Sequence, residues 1–339
     1  MRYITIDNAK EGMMVGKSIY NEQGSVLVNY RVKLTKKLIK RMKEKGLPGL
    51  YIDDSLSEDI TIEDLISDEL GVKATQALRK LDIDAALGVA SDITEELSLN
   101  GDVNVNLVSL RTSSDYTYKH SVQVAILSVL TGIALGLKKS MLKELAAAGL
   151  LHDIGKVNLP AAILEKPGPL TEEEYDLIKS HSELGYEKLK NNINISSKTK
   201  MGVYMHHENV NGTGYPMGLQ GDQIYMFAKI IHIADVYDAI TNERIYKKAQ
   251  SPKEAVEFLY KNEDIMFQRE YVDAFVGYIP FYPKGRNVLL SDGSIAVIVE
   301  NRQNKTLYPL VRRLSDGENI QLAEGEDDDV LTIVKFVDL

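Results

Sequence analysis

The sequence contains no cysteine. Neither a disulfide framework nor a thiolate-held metal is open to it, so any transition metal must be held by imidazole and carboxylate. A reducing, cytoplasmic setting is the expectation. Net positive charge is also lacking, since 49 acidic residues against 40 basic ones give a formal charge of −9 at pH 7. Adhesion to nucleic acid in general, or to an anionic membrane, needs a basic surface, so neither is expected; an anionic ligand would need a local basic pocket. Long apolar runs are missing too. The longest uncharged stretch, Ser121 to Leu137, has 17 residues with Ser, Thr and Gln among them, short of the ~20 apolar residues of a spanning helix. A buried core helix is expected there. The opening residues MRYITIDNAKEG carry none of the marks of a secretory signal, and no internal repeat stands out.

What is present is a globular composition, 44% hydrophobic and 26% charged over 339 residues, which suits two or three domains. Residues 1–58 alternate short apolar and polar runs, then give a Lys-rich helix from Thr35 to Lys45 ending at Gly46, a small N-terminal α+β module. Its lysines read as a solvated helix face. Residues 59–104 read as connecting helices, with Asn100-Gly101-Asp102 as a turn. Helical signals dominate 105–280, with start signals at Thr171/Glu174, stapled by Leu170 and Tyr175, and at Ser251-Pro252-Lys253-Glu254. Residues 281–339 turn to short β-rich runs with hairpin signals at Ser291-Asp292-Gly293 and Ser315-Asp316-Gly317, a small C-terminal β domain. The acidic run Glu324 to Asp329 reads as an exposed loop. The fold class is mainly α.

His152-Asp153 closes the apolar helical run LKELAAAGLLHDIGK, where two polar groups in a core face need partners. A lone histidine there is more often a hydrogen-bonded core residue than a ligand. Here it is not alone: His120, His181, His206 and His207 fall in the same helical region, His181 as the tenth residue of the helix capped at Thr171. Five of six histidines so placed suit imidazole-rich metal coordination better than five separate structural roles. Asp235 interrupts the apolar helix KIIHIADVYDAI and adds a carboxylate. His232, three residues earlier, reads as packing or support. Gly212, Gly214, Tyr215 and Pro216 make a loop directly after the histidine pair that lets backbone approach a ligand closely.

These residues carry a family resemblance. HDIGK at 152–156, HHENVNGTGYP at 206–216 and ADVYDAITNERIYK at 234–247 resemble an HD-GYP domain over about residues 105 to 280. The resemblance implies an HD-type helical bundle around a multi-metal centre that hydrolyses cyclic di-GMP. It further implies that His120, His152, Asp153 and Asp235 hold one metal and His181, His206 and His207 a second, with Asp153 bridging. Two close divalent metals would turn a bridging water into hydroxide and neutralise the phosphodiester. Lys156 would then aim its ammonium at the scissile phosphate or leaving oxygen. Tyr215, with Gly214 and Pro216, would contact the nucleotide; Arg244 and Lys247 match phosphate-binding positions and would supply the basic pocket.

Three departures from the family pattern matter. Tyr116 stands where members with a third metal carry Glu, so two metals are expected. Asn211 and Lys229 stand where Asp and Arg are commoner. Iron or manganese is favoured over nickel, cobalt or zinc, all of which such ligands accept. The expected reaction opens cyclic di-GMP to pGpG and either stops there or goes on to GMP. The alternatives are a phosphodiesterase for another cyclic dinucleotide, 3′,3′-cGAMP, and a weakly active HD-GYP regulatory or binding protein. A nucleic-acid-binding helical protein is a third class, against which the charge counts. The end modules are expected to set a homodimer, bring protein partners or restrict access.

Overall fold

The alternating runs near the N-terminus pair as antiparallel strands in the computed structural model, which describes residues 1–21, 25–99, 105–106, 116–166, 168–242, 249–325 and 330–337. Strands β1 (Arg2–Thr5), β2 (Met14–Val15), β3 (Ile19–Tyr20) and β4 (Val26–Val28) precede helix α1 (Lys36–Glu44) and β5 (Gly49–Asp53). The order β1-β5-β2 aligns Ile4 with Leu50 and Val15 with Ile52. These side chains share a core with Ile39 and Met42 of α1, three residues apart on one helix face. Burying each of those two contributes about 1.5–3 kcal/mol. Thr35 caps the start of α1 and Gly46, at φ +71°, ends it.

Strand β6 (Glu63–Asp64) pairs in parallel with β7 (Val105–Asn106), and α2 (Asp68–Arg79) follows β6. The C-terminal strands β8 (Asn287–Leu290), β9 (Ile295–Glu300), β10 (Leu310–Arg313), β11 (Asn319–Gln321) and β12 (Ile333–Phe336) form one antiparallel sheet in the order β11-β10-β9-β8-β12. Gly293 and Gly317, at φ +82° and +77°, sit in its hairpin turns as their motifs predict.

The expected division at 58, 104 and 280 meets a different grouping. Residues 1–72, 101–116 and 280–339 form one unit; residues 73–100 and 117–279 form the other. The N-terminal module and C-terminal sheet are therefore parts of one body. Val297 of β9 packs with Tyr51, Ile60 and Ile62, the Tyr3 amide donates to the Gly285 carbonyl at 2.8 Å, and Arg312 grips Asp59 with both terminal nitrogens. Such pairings across most of the chain leave no local signal in sequence.

The second unit is helical: α3 (Ile83–Leu99), α4 (Tyr116–Ala134), α5 (Lys139–Leu151), α6 (Ala161–Leu164), α7 (Glu172–Lys179), α8 (His181–Leu189), α9 (Ser197–Met205), α10 (Met226–Thr241), α11 (Pro252–Lys261) and α12 (Arg269–Tyr278). Helix α3, expected only as a connector, packs on α5, which packs on α9. Helix α10 is buried nearly all round, as a bundle's central helix must be. The uncharged stretch from Ser121 becomes most of α4, a core helix. Among the described residues no helix is long and apolar enough to cross a membrane. Both predicted capping boxes form, at Thr171/Glu174 and Ser251/Glu254. Tyr175 is half exposed, with the Lys179 ammonium over its ring. The helix from Thr171 does not run on to His181: it ends at Ser180, whose hydroxyl donates to the Leu177 carbonyl, and α8 begins at His181. Asn100 to Asp102 and Glu326 to Asp329 lie outside the described residues; Glu324 is exposed coil.

Candidate functional site

Four helix ends and one helix interior deliver the predicted ligands. His152 caps the end of α5, and Asp153 opens a tight 3-10 turn, Ile154–Asn158. Gly155 lets that turn press onto α8, since a Cβ there would collide with the carbonyl oxygen of His181. His120 lies near the start of α4, His206 caps α9 with His207 next, and Asp235 sits within α10.

Three of the imidazoles are held alike. The Nδ1 atoms of His152, His181 and His206 bond the carbonyls three residues back, Gly149 at 2.8 Å, Ile178 at 2.6 Å and Val203 at 2.7 Å. A carbonyl only accepts, so each Nδ1 carries the hydrogen and each Nε2 is left with a lone pair. The Nε2 atoms of His181 and His206 nevertheless face each other at 3.2 Å. His152 Nε2 and Asp153 Oδ1 are buried with no hydrogen-bond partner. Ligand atoms of His181, His206 and His207 lie within 4.8 Å of one another, as do those of His120, His152 and Asp153. Between the groups, Asp153 Oδ1 is 3.4 Å from His181 Nε2, and Oδ2 is 3.4 Å from His152 Nε2 and 4.0 Å from His120 Nε2. Buried acceptors facing one another are costly unless a cation lies among them. The donor set, imidazole and carboxylate without thiolate, fits divalent transition metals.

Charge is distributed unevenly over this constellation. Burial raises the carboxyl of Asp153, but His152, Lys156 and His181 outweigh it and hold the group well below the usual range. Asp235 behaves likewise through His120. Burial works the other way on the imidazoles: it holds His206 and His207 well below the usual value, with neighbouring imidazoles adding to the effect, and it lowers His181. His120 is the exception. Burial depresses it, yet Asp235 at 3.0 Å from Nε2 and Asp238 at 2.7 Å from Nδ1 carry it up to about 10.

The glycine-rich loop folds back on the histidine pair. Tyr215 stacks on the His207 ring with centroids 4.7 Å apart, and its amide donates to the His207 carbonyl. Gly214 passes so close to Glu208 and Asn209 that a Cβ would not fit. The Tyr215–Pro216 peptide is cis. Burial pushes the Tyr215 phenol up, so it stays protonated. The Lys156 ammonium sits on Asp153 Oδ2 at 2.6 Å. His232 donates from Nδ1 to the Glu208 carbonyl, the supporting role expected of it. Lys229 is buried against Gln268 and Tyr271. Arg244 and Lys247 lie outside the described residues, as does the side chain of Tyr116.

Two buried acids escaped the sequence reading. Asp238 binds His120 from 118 residues away. Glu208 accepts the amides of Met217 at 2.7 Å and Leu219 at 2.9 Å, clasping the loop. The available signals were a second acid three residues after Asp235 on a mostly apolar helix, and an acid directly after the histidine pair.

Comparison with known proteins finds relatives for the chain and its fold. The profile of the HD domain family matches residues 102–270. A cyclic di-GMP phosphodiesterase of Pseudomonas aeruginosa is 37% identical over 227 residues, 66% of this chain and 55% of that protein. A 3′3′-cGAMP-specific phosphodiesterase of Vibrio cholerae is 40% identical over 146 residues, 43% of this chain and 34% of its own length. The chain thus spans about half or less of the length of these relatives. An HDG"Y"P protein from Bdellovibrio bacteriovorus shares the fold with a TM-score of 0.53 at 18% identity, over 80% of this chain and 97% of that one. The chain belongs to the HD domain family, and its HD, HH and GYP motifs place it among the HD-GYP members.

Proposed function

We propose that the protein is a metal-dependent phosphodiesterase that opens cyclic di-GMP to linear pGpG and carries it on to GMP. The observation that carries this reading is the convergence of buried, unpartnered acceptors around Asp153. In it, His120, His152, Asp153 and Asp235 hold one divalent transition metal and His181, His206 and His207 a second, with Asp153 shared and iron or manganese favoured. Such a pair, when bound, supplies Lewis-acid neutralisation of the phosphodiester and acidifies a water for attack.

The chain's own residues do the rest. Imidazoles already fixed as Nε2 acceptors present lone pairs without reorganisation, and the depressed Asp153 and Asp235 stay ionised across the working pH range. Lys156, anchored on Asp153, puts positive charge where the phosphate or leaving oxygen develops negative charge. Tyr215, a neutral phenol beside His207, is a hydrogen-bond donor toward the nucleotide, on a loop shaped by Gly214 and Pro216. Arg244 and Lys247 supply the phosphate-binding cations. A cytoplasmic setting, and homodimer or partner contacts through the N- and C-terminal regions, belong to the same proposal.

The second reading, hydrolysis of 3′3′-cGAMP, is favoured by the Vibrio relative. The test is metal analysis of protein purified without oxygen, followed by product analysis with each dinucleotide. Two metals per chain and release of pGpG, then GMP, are expected. Faster turnover of 3′3′-cGAMP would move the substrate to the second reading. Two metals with both dinucleotides left intact would make it a regulatory protein on the same fold, and one metal or none would remove the centre as drawn.

A further inference from the structure

Among the described residues the buried acids are Asp153, Glu208 and Asp238. Asp153 belongs to the ligand set and Glu208 clasps the loop, which leaves Asp238 without a part in the reaction as proposed. Its Oδ2 lies 2.7 Å from His120 Nδ1, and its Oδ1 accepts from the Asn242 side chain at 2.6 Å. Both oxygens are thus fixed, and His120 has a carboxylate where His152, His181 and His206 have a neutral carbonyl.

We infer that Asp238 is a positioning residue that makes the two halves of the metal centre unequal, so that the half containing His120 binds its ion more tightly and fills first. The inference rests on the two-metal reading above. The His120 half brings two carboxylates, Asp153 and Asp235, and Asp238 adds a third negative charge directly behind the imidazole. The other half brings imidazoles alone apart from the shared Asp153. Each carboxylate strengthens the pull on a divalent ion. An imidazole bonded to a carboxylate is also held in one tautomer and is a more basic ligand, and loss of such support costs about 10–100-fold in metal affinity.

The test is calorimetric titration of the metal-free full chain with Mn²⁺, for the wild type and for Asp238→Asn, which keeps the volume and an acceptor oxygen. The wild type should show two unequal binding steps. Asp238→Asn should weaken the tighter step by about 10–100-fold and leave the weaker one unmoved, a selectivity that general loosening of the fold would not produce. Two wild-type steps that the substitution leaves unchanged, or weakens equally, overturn the inference. Fewer than two bound ions in the wild type would instead overturn the two-metal reading beneath it. Histidine ¹⁵N spectra of the metal-loaded wild type test the contact without substitution: a strongly hydrogen-bonded Nδ1–H on His120 is expected, and a bare Nδ1 overturns the assignment.

Discussion

On one side of Asp153, His120 is held by the side chain of Asp238 from another helix; on the other, His181 and His206 are held by carbonyls three residues back in the chain. Both arrangements aim Nε2 at the same small volume. They differ in what encodes them and in charge. The carbonyl-held rings need only local backbone geometry and stay neutral through burial, whereas His120 needs α4 and α10 to meet and is the one imidazole here raised toward about 10. Local encoding gives ligands that survive a change elsewhere, and long-range encoding gives one that reports on it.

The largest effect is expected from Asp153→Ala, which removes the group facing both sides. Hydrolysis should fall roughly 10³-fold or more, the scale of several kcal/mol of Lewis-acid stabilisation, with both metals depleted in elemental analysis. Retention of both ions would break the idea that this carboxylate is shared. Next, His120→Ala and His206→Ala should each lose one metal of two, and not the same one. Site-resolved metal binding checks this, and loss of the same ion from both variants would merge the two sides into one. Lys156→Gln should keep both metals while lowering kcat by about 10²–10³-fold, the scale of removing one preorganised stabilising group. Metal loss instead would make Lys156 a counter-charge for Asp153 alone.

The smallest effect separates the two sides by pH in the metal-free protein. His206 and His207 resist protonation when folded, while an unfolded imidazole titrates near 6.5; the unfolded chain therefore binds more protons, and stability falls as pH drops below about 6.5. His120 has the opposite sign. Its contribution is complete below about 6.5 and is lost as pH rises toward about 10. Melting temperature against pH should thus decline by a few degrees on each side of about 6.5. His206→Ala should flatten the acid limb and His120→Ala the alkaline one; a limb untouched by its own substitution would remove that imidazole as its cause.

Of the candidate ligands, His152, Asp153, His206, His207 and Asp235 were legible because each sits in a short motif whose neighbours explain it, while His120 and His181 stood out only as further histidines of the same helical region. HDIGK combines two candidate ligands, a lysine and the glycine that the approach of α8 demands. Likewise the start of α11 followed from Ser251, Pro252 and Glu254, and the C-terminal hairpins from their Ser-Asp-Gly turns. Asp238 and Glu208 were not legible, since their meaning lies in a partner ring 118 residues away and in amides across a loop. The regrouping of residues 1–72 with 280–339 was hidden for the same reason: antiparallel alternation announces a strand but not the surface it will cover. The break at Ser180 was missed because nothing in Leu177-Ile178-Lys179-Ser180-His181 stops a helix by propensity.

The hydrogen bonds from His152, His181 and His206 to carbonyls three residues back carry a consequence for how the centre is loaded. Those tautomers are set as soon as the local backbone forms, before any ion arrives. An incoming ion therefore has no ring to rotate and no proton to evict from three of its prospective ligands. In the proposed centre the proton to be displaced is the one on His120, raised to about 10 beside Asp235 and Asp238, so the His120 side and not the carbonyl-held side carries the cost of loading.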